Sequence, residues 1–132
     1  MRLPVSVKGV VLDDGGKAAL LENERGEWEL PGGRLEAGES LRGCVEREIY
    51  EEINLRVEAG TLLDAYVYEV VEGRRVLIVV YGCFVGSLDG IRKSGEHRGV
   101  GFFGLSEMGG INLPEGYGRA VRAWSAHLRH RA

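Results

Sequence analysis

The sequence predicts an α/β (α+β) fold, and three features carry that prediction. Short β-branched, apolar runs recur along the chain with turn residues between them. One stretch of helical periodicity separates the early runs from two long central ones, and a second such stretch closes the chain. Twenty-one glycines against three prolines fit many tight turns rather than a disordered linker.

Val5 to Leu12 is β-branched and apolar, and Asp13-Asp14-Gly15-Gly16 stops it. Lys17 to Glu22 is expected to pair back on it as the second arm of a hairpin. Asn23 to Gly26 is a polar loop. Glu27 to Leu30 is a short extended piece, ended by Pro31, which pushes the residue before it out of the helical region. Gly32 and Gly33 then allow a sharp turn or a close approach to a ligand.

A helix is predicted over Ser40 to Ile53, with Ser40 as N-cap and Asn54 at the left-handed position after its end. Gly43 stands where a capping box would place Glu. Arg56 to Val71 reads as a long strand, Glu72-Gly73 as a turn, and Arg74 to Val85 as a strand buried on both faces. Ser87 to Gly95 is a polar loop and Arg98 to Gly104 a further short strand. Pro114 to Arg129 has helical spacing, with Tyr117, Val121, Trp124 and Leu128 on one core-facing stripe.

A chain of 132 residues fits a single domain, 1–132, large enough to bury roughly two-thirds of its unfolded surface. Its net charge of −3 offers no basic field for duplex nucleic acid. Arg119, Arg122, Arg129 and Arg131 make the C-terminal helix locally basic, which reads as a solvated face. Cys44 and Cys83 form no CxxC pair and read as small core residues. No apolar run approaches the roughly 20 residues of a membrane span, and MRLPVSVKGVVLDD lacks the marks of a signal peptide. The expectation is a cytoplasmic protein with no membrane partner. A homodimer is compatible with the sequence, which does not set the oligomeric state.

The central helix carries the chemistry. Glu46, Glu48, Glu51 and Glu52 surround one cation, Arg47, in its C-terminal half, where the macrodipole disfavours negative charge. Leu41, Cys44, Val45, Ile49 and Ile53 form an apolar stripe, and Glu48 and Glu52 fall inside it by direction, with Glu51 at its edge. Glu46, Tyr50, Arg42 and Gly43 face the other way. A solvated face would instead place a cation four residues from each acid, whereas Glu48 has Glu52 there. Inward carboxylates without partners are costly. A hard divalent cation such as Mg²⁺, which prefers carboxylate oxygen, resolves the misfit.

Gly33, Glu39, Arg47, Glu48, Ile49, Glu51, Glu52 and Leu55 stand at the spacing of the Nudix hydrolase signature, and the stretch resembles it closely. Asn54 stands where that family has glycine, and asparagine tolerates the same left-handed angle. Trp28 to Gly33 is similar to the family's lead-in. The resemblance implies a Nudix-like α/β/α sandwich, a mixed β-sheet between helices. It implies hydrolysis of a nucleoside diphosphate linked to another group, by water attacking a phosphorus of the pyrophosphate, with Mg²⁺ or Mn²⁺ as cofactor.

Carried onto this chain, the resemblance makes Glu48, Glu51 and Glu52 metal ligands, with the Gly33 carbonyl a further one. Arg47 would orient a glutamate and Glu39 would brace the loop-helix-loop. Catalysis would rest on Glu48, Arg47, Glu52 and Glu96. The general base is either a glutamate of the signature helix or Glu96, which precedes a strand as the family's additional acidic ligand does; the bland reading of Glu96 is an exposed loop residue. His97 beside Arg98 reads as a surface residue. The family's substrate markers after the signature fall at Val71 to Gly73 and are absent. Trp28, Tyr66 and Tyr68 suit either base stacking or strand packing, so no nucleotide is assigned. Two other uses of the fold compete: a non-catalytic nucleotide-binding module, disfavoured by the retained acids, and an isomerase or glycosylase-type activity, disfavoured by the short chain.

Overall fold

The computed structural model describes residues 2–92 and 99–131. Its strands are β1 (Val5–Val11), β2 (Ala18–Glu22), β3 (Trp28–Glu29), β4 (Gly32–Arg34), β5 (Val57–Val71), β6 (Arg74–Val85) and β7 (Gly99–Phe103). Its α-helices are α1 (Leu41–Ile53) and α2 (Glu115–Arg131), and a 3₁₀ turn covers Leu105–Gly110. A mixed four-stranded sheet has the order β4-β1-β6-β5, and a three-stranded sheet the order β3-β2-β7.

Strand β6 is central because it is apolar on both faces. It runs parallel to β1, with Val79 beside Val7, and antiparallel to β5. One face joins Val7, Val11 and Val79 to Cys44, Val45, Ile49 and Ile53 of α1. The other joins Val10, Ile78 and Val80 to Tyr117, Val121 and Trp124 of α2. The second sheet feeds both cores through its alternation: Ala19 and Leu21 enter the first, Ala18 and Leu20 the second. The result is a mixed sheet between two helices. The fully buried aliphatics of α1 fix that helix, since truncating one of them to alanine typically costs about 2–5 kcal/mol.

The expected β1–β2 hairpin does not form. Its turn is present, with Asp13 Oδ1 accepting from the Gly15 and Lys17 N–H groups at 3.0 and 2.8 Å. Beyond a single bridge from Leu12 to Ala18, however, the strands enter different sheets. The reason is the number of edges: a strand has two, and those of β1 are taken by β4 and β6. The short β4 was expected only as a turn or ligand approach.

Helix α1 ends as its sequence predicts. Ser40 Oγ accepts from the Gly43 N–H at 3.0 Å, and Asn54 takes φ 58°, ψ 34°. At the other helix, Gly82 of β6 lies directly beneath Trp124, and an added Cβ would fall inside the indole ring. Gly82→Ala should therefore destabilise the fold by about 1–3 kcal/mol through overpacking, read as a lowered denaturant midpoint with unchanged slope.

Candidate active site

The site is built on the backbone of β4. Gly32 has φ 140°, and a side chain there would strike the Val7 carbonyl of β1, so only glycine lets the two strands meet. At Gly33 an added Cβ would occupy the position of the Glu48 carboxylate. Two bare glycines thus form the surface against which the acids of α1 rest. Glu52 Oε1 accepts from the Gly32 N–H at 2.7 Å. Glu48, with 18% of its side chain exposed, lies against Gly33. Both carboxylates point inward, as the stripe predicts.

Arg47 gathers the other acids. Its Nε and Nη2 donate to the two oxygens of Glu39, the latter at 3.0 Å. Its Nη1 donates to Glu51 at 3.0 Å and lies 3.4 Å from Glu48, and Nη2 donates to the Arg34 carbonyl at 3.2 Å. Glu36 completes the set at 3.7 Å. The Arg47 fork, aided by the Glu36 N–H, holds the Glu39 carboxyl down at about 2. Burial pushes the Glu48 carboxyl up, and Glu51 adds to this while Arg47 and Lys8 oppose it. Burial likewise lifts the Cys44 thiol to about 11 and the Cys83 thiol to about 12, as inert core groups.

Glu51 sits at the rim, with 56% of its side chain exposed. Contrary to the uncompensated like-charge cluster read from sequence, it has a counter-ion at the helical i, i+4 spacing in Arg47. Glu46 also differs from expectation. Its carboxylate accepts the Ala59 N–H at 2.8 Å, while Arg42 donates to the Ala59 carbonyl at 2.6 Å. The outward face of α1 therefore clamps β5 beside its irregular register at Ala59. Glu96 and His97 lie outside the described residues.

Among the described residues no three His, Cys, Asp or Glu side chains converge into a ready-made metal cage. A hard divalent cation does not require one, because Mg²⁺ is bound through one or two carboxylates and keeps several waters. Carboxylate oxygens beside a glycine that leaves their space open fit such an ion.

Beyond β1 lies a cavity of about 410 Å³, lined among others by Lys8, Arg25, Trp28, Glu29, Tyr68 and Tyr117. The carboxylates of α1 do not line it; Lys8, paired in register with Gly32, stands between the two. Trp28 is braced edge-on by Phe103, with ring centroids 4.7 Å apart. Lys8 was passed over in the sequence, although a lysine inside the apolar run of β1 was the signal that could have found it.

A profile of the NUDIX domain matches residues 2–124. The chain belongs to the Nudix family. A MutT-like protein of Streptomyces ambofaciens is 40% identical over 80 residues, which is 60% of this chain and 50% of that protein. The chain thus spans half the length of that relative. The CTP pyrophosphohydrolase of Escherichia coli is 27% identical over 101 residues, 73% of each chain. Among solved structures, the MutT protein of Methanosarcina mazei Go1 superposes with a TM-score of 0.76 at 26% identity, over 98% of both chains.

Within this Nudix fold, Asn54 does more than tolerate a glycine's conformation. Its Nδ2 donates to the Gly90 carbonyl at 2.9 Å, and the Arg92 N–H donates to the Ile53 carbonyl at 3.0 Å. The end of α1 is thereby tied to the segment after β6.

The depressed Glu39 carboxyl sets a pH dependence. Its stabilisation is complete above the ordinary value of 4.5 and is lost as pH falls toward about 2. In EDTA, the gap in denaturant midpoint between wild type and Glu39→Gln should stay constant above that window and close within it. A gap unchanged down to the lower limit would show that the Arg47–Glu39 pair does not couple to folding.

Proposed function

We propose that this Nudix chain hydrolyses the pyrophosphate bond of a nucleoside diphosphate linked to another group, with Mg²⁺ or Mn²⁺ as cofactor. The observation that carries the reading is the pair of inward carboxylates, Glu48 and Glu52, set against the bare backbone of Gly32 and Gly33. Glu48, Glu51 and Glu52 would hold the cation, with the Gly33 carbonyl and Glu96 as further donors. When bound, the metal neutralises charge on the phosphate oxygens and makes a water nucleophilic near neutral pH.

The chain's own groups supply the rest. Arg47 holds Glu39 ionised with a guanidinium fork that matches carboxylate geometry, and it holds Glu51 in place through a single hydrogen bond. The Gly32 N–H orients the Glu52 carboxylate by donating to its Oε1. The proton of the attacking water passes to a glutamate of α1 or to Glu96. The names of the relatives, which include pyrophosphohydrolase activity on CTP for the Escherichia coli protein, support the bond type and leave the nucleotide open.

The test is a panel of nucleoside diphosphate derivatives with Mg²⁺, scored for released nucleoside monophosphate, with EDTA abolishing turnover. Glu52→Gln keeps the acceptor for the Gly32 N–H and removes the charge. It should lower kcat by about 100-fold or more, the scale of several kcal/mol of metal-borne stabilisation, with an unchanged circular dichroism spectrum. Near wild-type turnover would remove Glu52 from the site. Glu96→Gln separates the two candidate bases: a fall in kcat with a lost acidic limb in the pH profile assigns the role to Glu96, and unchanged kcat at saturating Mg²⁺ assigns it to α1.

A further inference from the structure

Lys8 is the buried charged residue among the described part of the chain, with 8% of its surface exposed. It sits in the middle of β1, between Gly32 of β4 and Val80 of β6. A lysine covered to this degree packs its aliphatic stem and leaves its head to reach whatever space is open. No hydrogen bond or ion pair within 4 Å holds it among the described residues. Glu48 feels its charge, but from beyond ion-pairing distance. Nor is its nitrogen sealed in the core: the fully buried polar side-chain atom without a partner is Trp124 Nε1. The Lys8 ammonium opens instead into the cavity with Trp28, Tyr68 and Tyr117. An ammonium in contact with open space, without a hydrogen bond or ion pair among the described residues, is available to an anion from outside.

Its position selects the anion. On one side of Lys8 lie Gly32, Gly33 and the inward carboxylates; on the other lies the aromatic cavity. A molecule with one end at each must carry its intervening group past this ammonium. We propose that Lys8 binds a phosphate oxygen of the nucleotide substrate, the phosphate next to the nucleoside, and so directs the nucleoside into the cavity walled by Trp28, Tyr68 and Tyr117. This rests on the pyrophosphohydrolase reading and adds to it a substrate-positioning residue and a direction of binding. Lysine suits the task as a compact point charge with three donors. Of the residues that flank it on β1, Val7 and Gly9 carry no polar side chain, while Ser6 and Arg25 line the same cavity.

The test uses the full chain with Mg²⁺ and lysine labelled at Cε, the Lys8 resonance being identified by its loss in Lys8→Met. Titration with AMP, CMP, GMP and UMP should shift that resonance saturably for at least one monophosphate, and less for the matching nucleoside. A Lys8 resonance unmoved by all four monophosphates overturns the assignment. That readout requires no turnover, so it stands apart from the hydrolysis panel, whose failure would instead strike the activity. On whichever compound the panel identifies, Lys8→Met should raise KM by about 10- to 100-fold, the worth of one hydrogen bond to a charged group, with kcat changed far less. Lys8→Arg should recover part of the loss. Lys8→Met should also melt no lower than wild type, since methionine keeps a packed apolar stem and no partner of the ammonium among the described residues is lost. A lower melting temperature with unchanged KM would make Lys8 a structural residue and overturn the proposal.

Discussion

The Arg47 guanidinium meets Glu36, Glu39, Glu48 and Glu51, and the geometry around it depends on that convergence. Without a cation, acids in the second half of α1 would repel one another and oppose the helix macrodipole. Arg47 offsets part of that repulsion and spends its donors unequally. Glu39 receives the bidentate fork, so the loop before α1 is tied to the middle of the helix. Glu51 receives one hydrogen bond and remains at the rim. Glu48 is within ion-pair range but is buried enough that desolvation still dominates its ionisation.

That arrangement is useful only because the sheet brings backbone to meet it. β4 is three residues long and pairs with β1 at the one place where a glycine with positive φ removes the steric barrier. Its two glycines present an N–H to Glu52 and open space to Glu48. Across β1 from that point lies the aromatic cavity, so β1 is both a core strand and the partition between the carboxylates and that cavity. Lys8 expresses the tension between these roles, being a charge in a strand whose valines pack the core.

Much of this was legible residue by residue. The stop at Pro31, the Ser40 cap and the left-handed Asn54 are local chemistry, and each stands where the sequence places it. β6 reveals its central position through its uninterrupted apolarity. The inward direction of Glu48 and Glu52 follows from helical periodicity alone. Less legible were relations between distant segments. The Asp13 to Gly16 turn is real, yet the strands on either side separate, because pairing depends on which edges remain free once β4 and β6 have docked. Glu46 and Arg42 look solvent-facing on a helical wheel, but β5 passes beside them and supplies both the N–H and the carbonyl of Ala59.

The sequence by itself determined the class of fold, the two helices, the signature acids and the chemistry those acids suit, since these rest on composition, period and spacing within short stretches. Only the tertiary structure decided that Arg47 reaches back from α1 to the Arg34 carbonyl and the Glu39 carboxylate, that Gly32 and Gly33 form the floor beneath Glu48 and Glu52, and that a lysine of β1 stands between those acids and an aromatic cavity. The physical reason is the same in each case. A charge or a polar group takes its meaning from its nearest partners, and here those partners come from segments far apart in the chain, brought together by a sheet whose order local sequence does not encode.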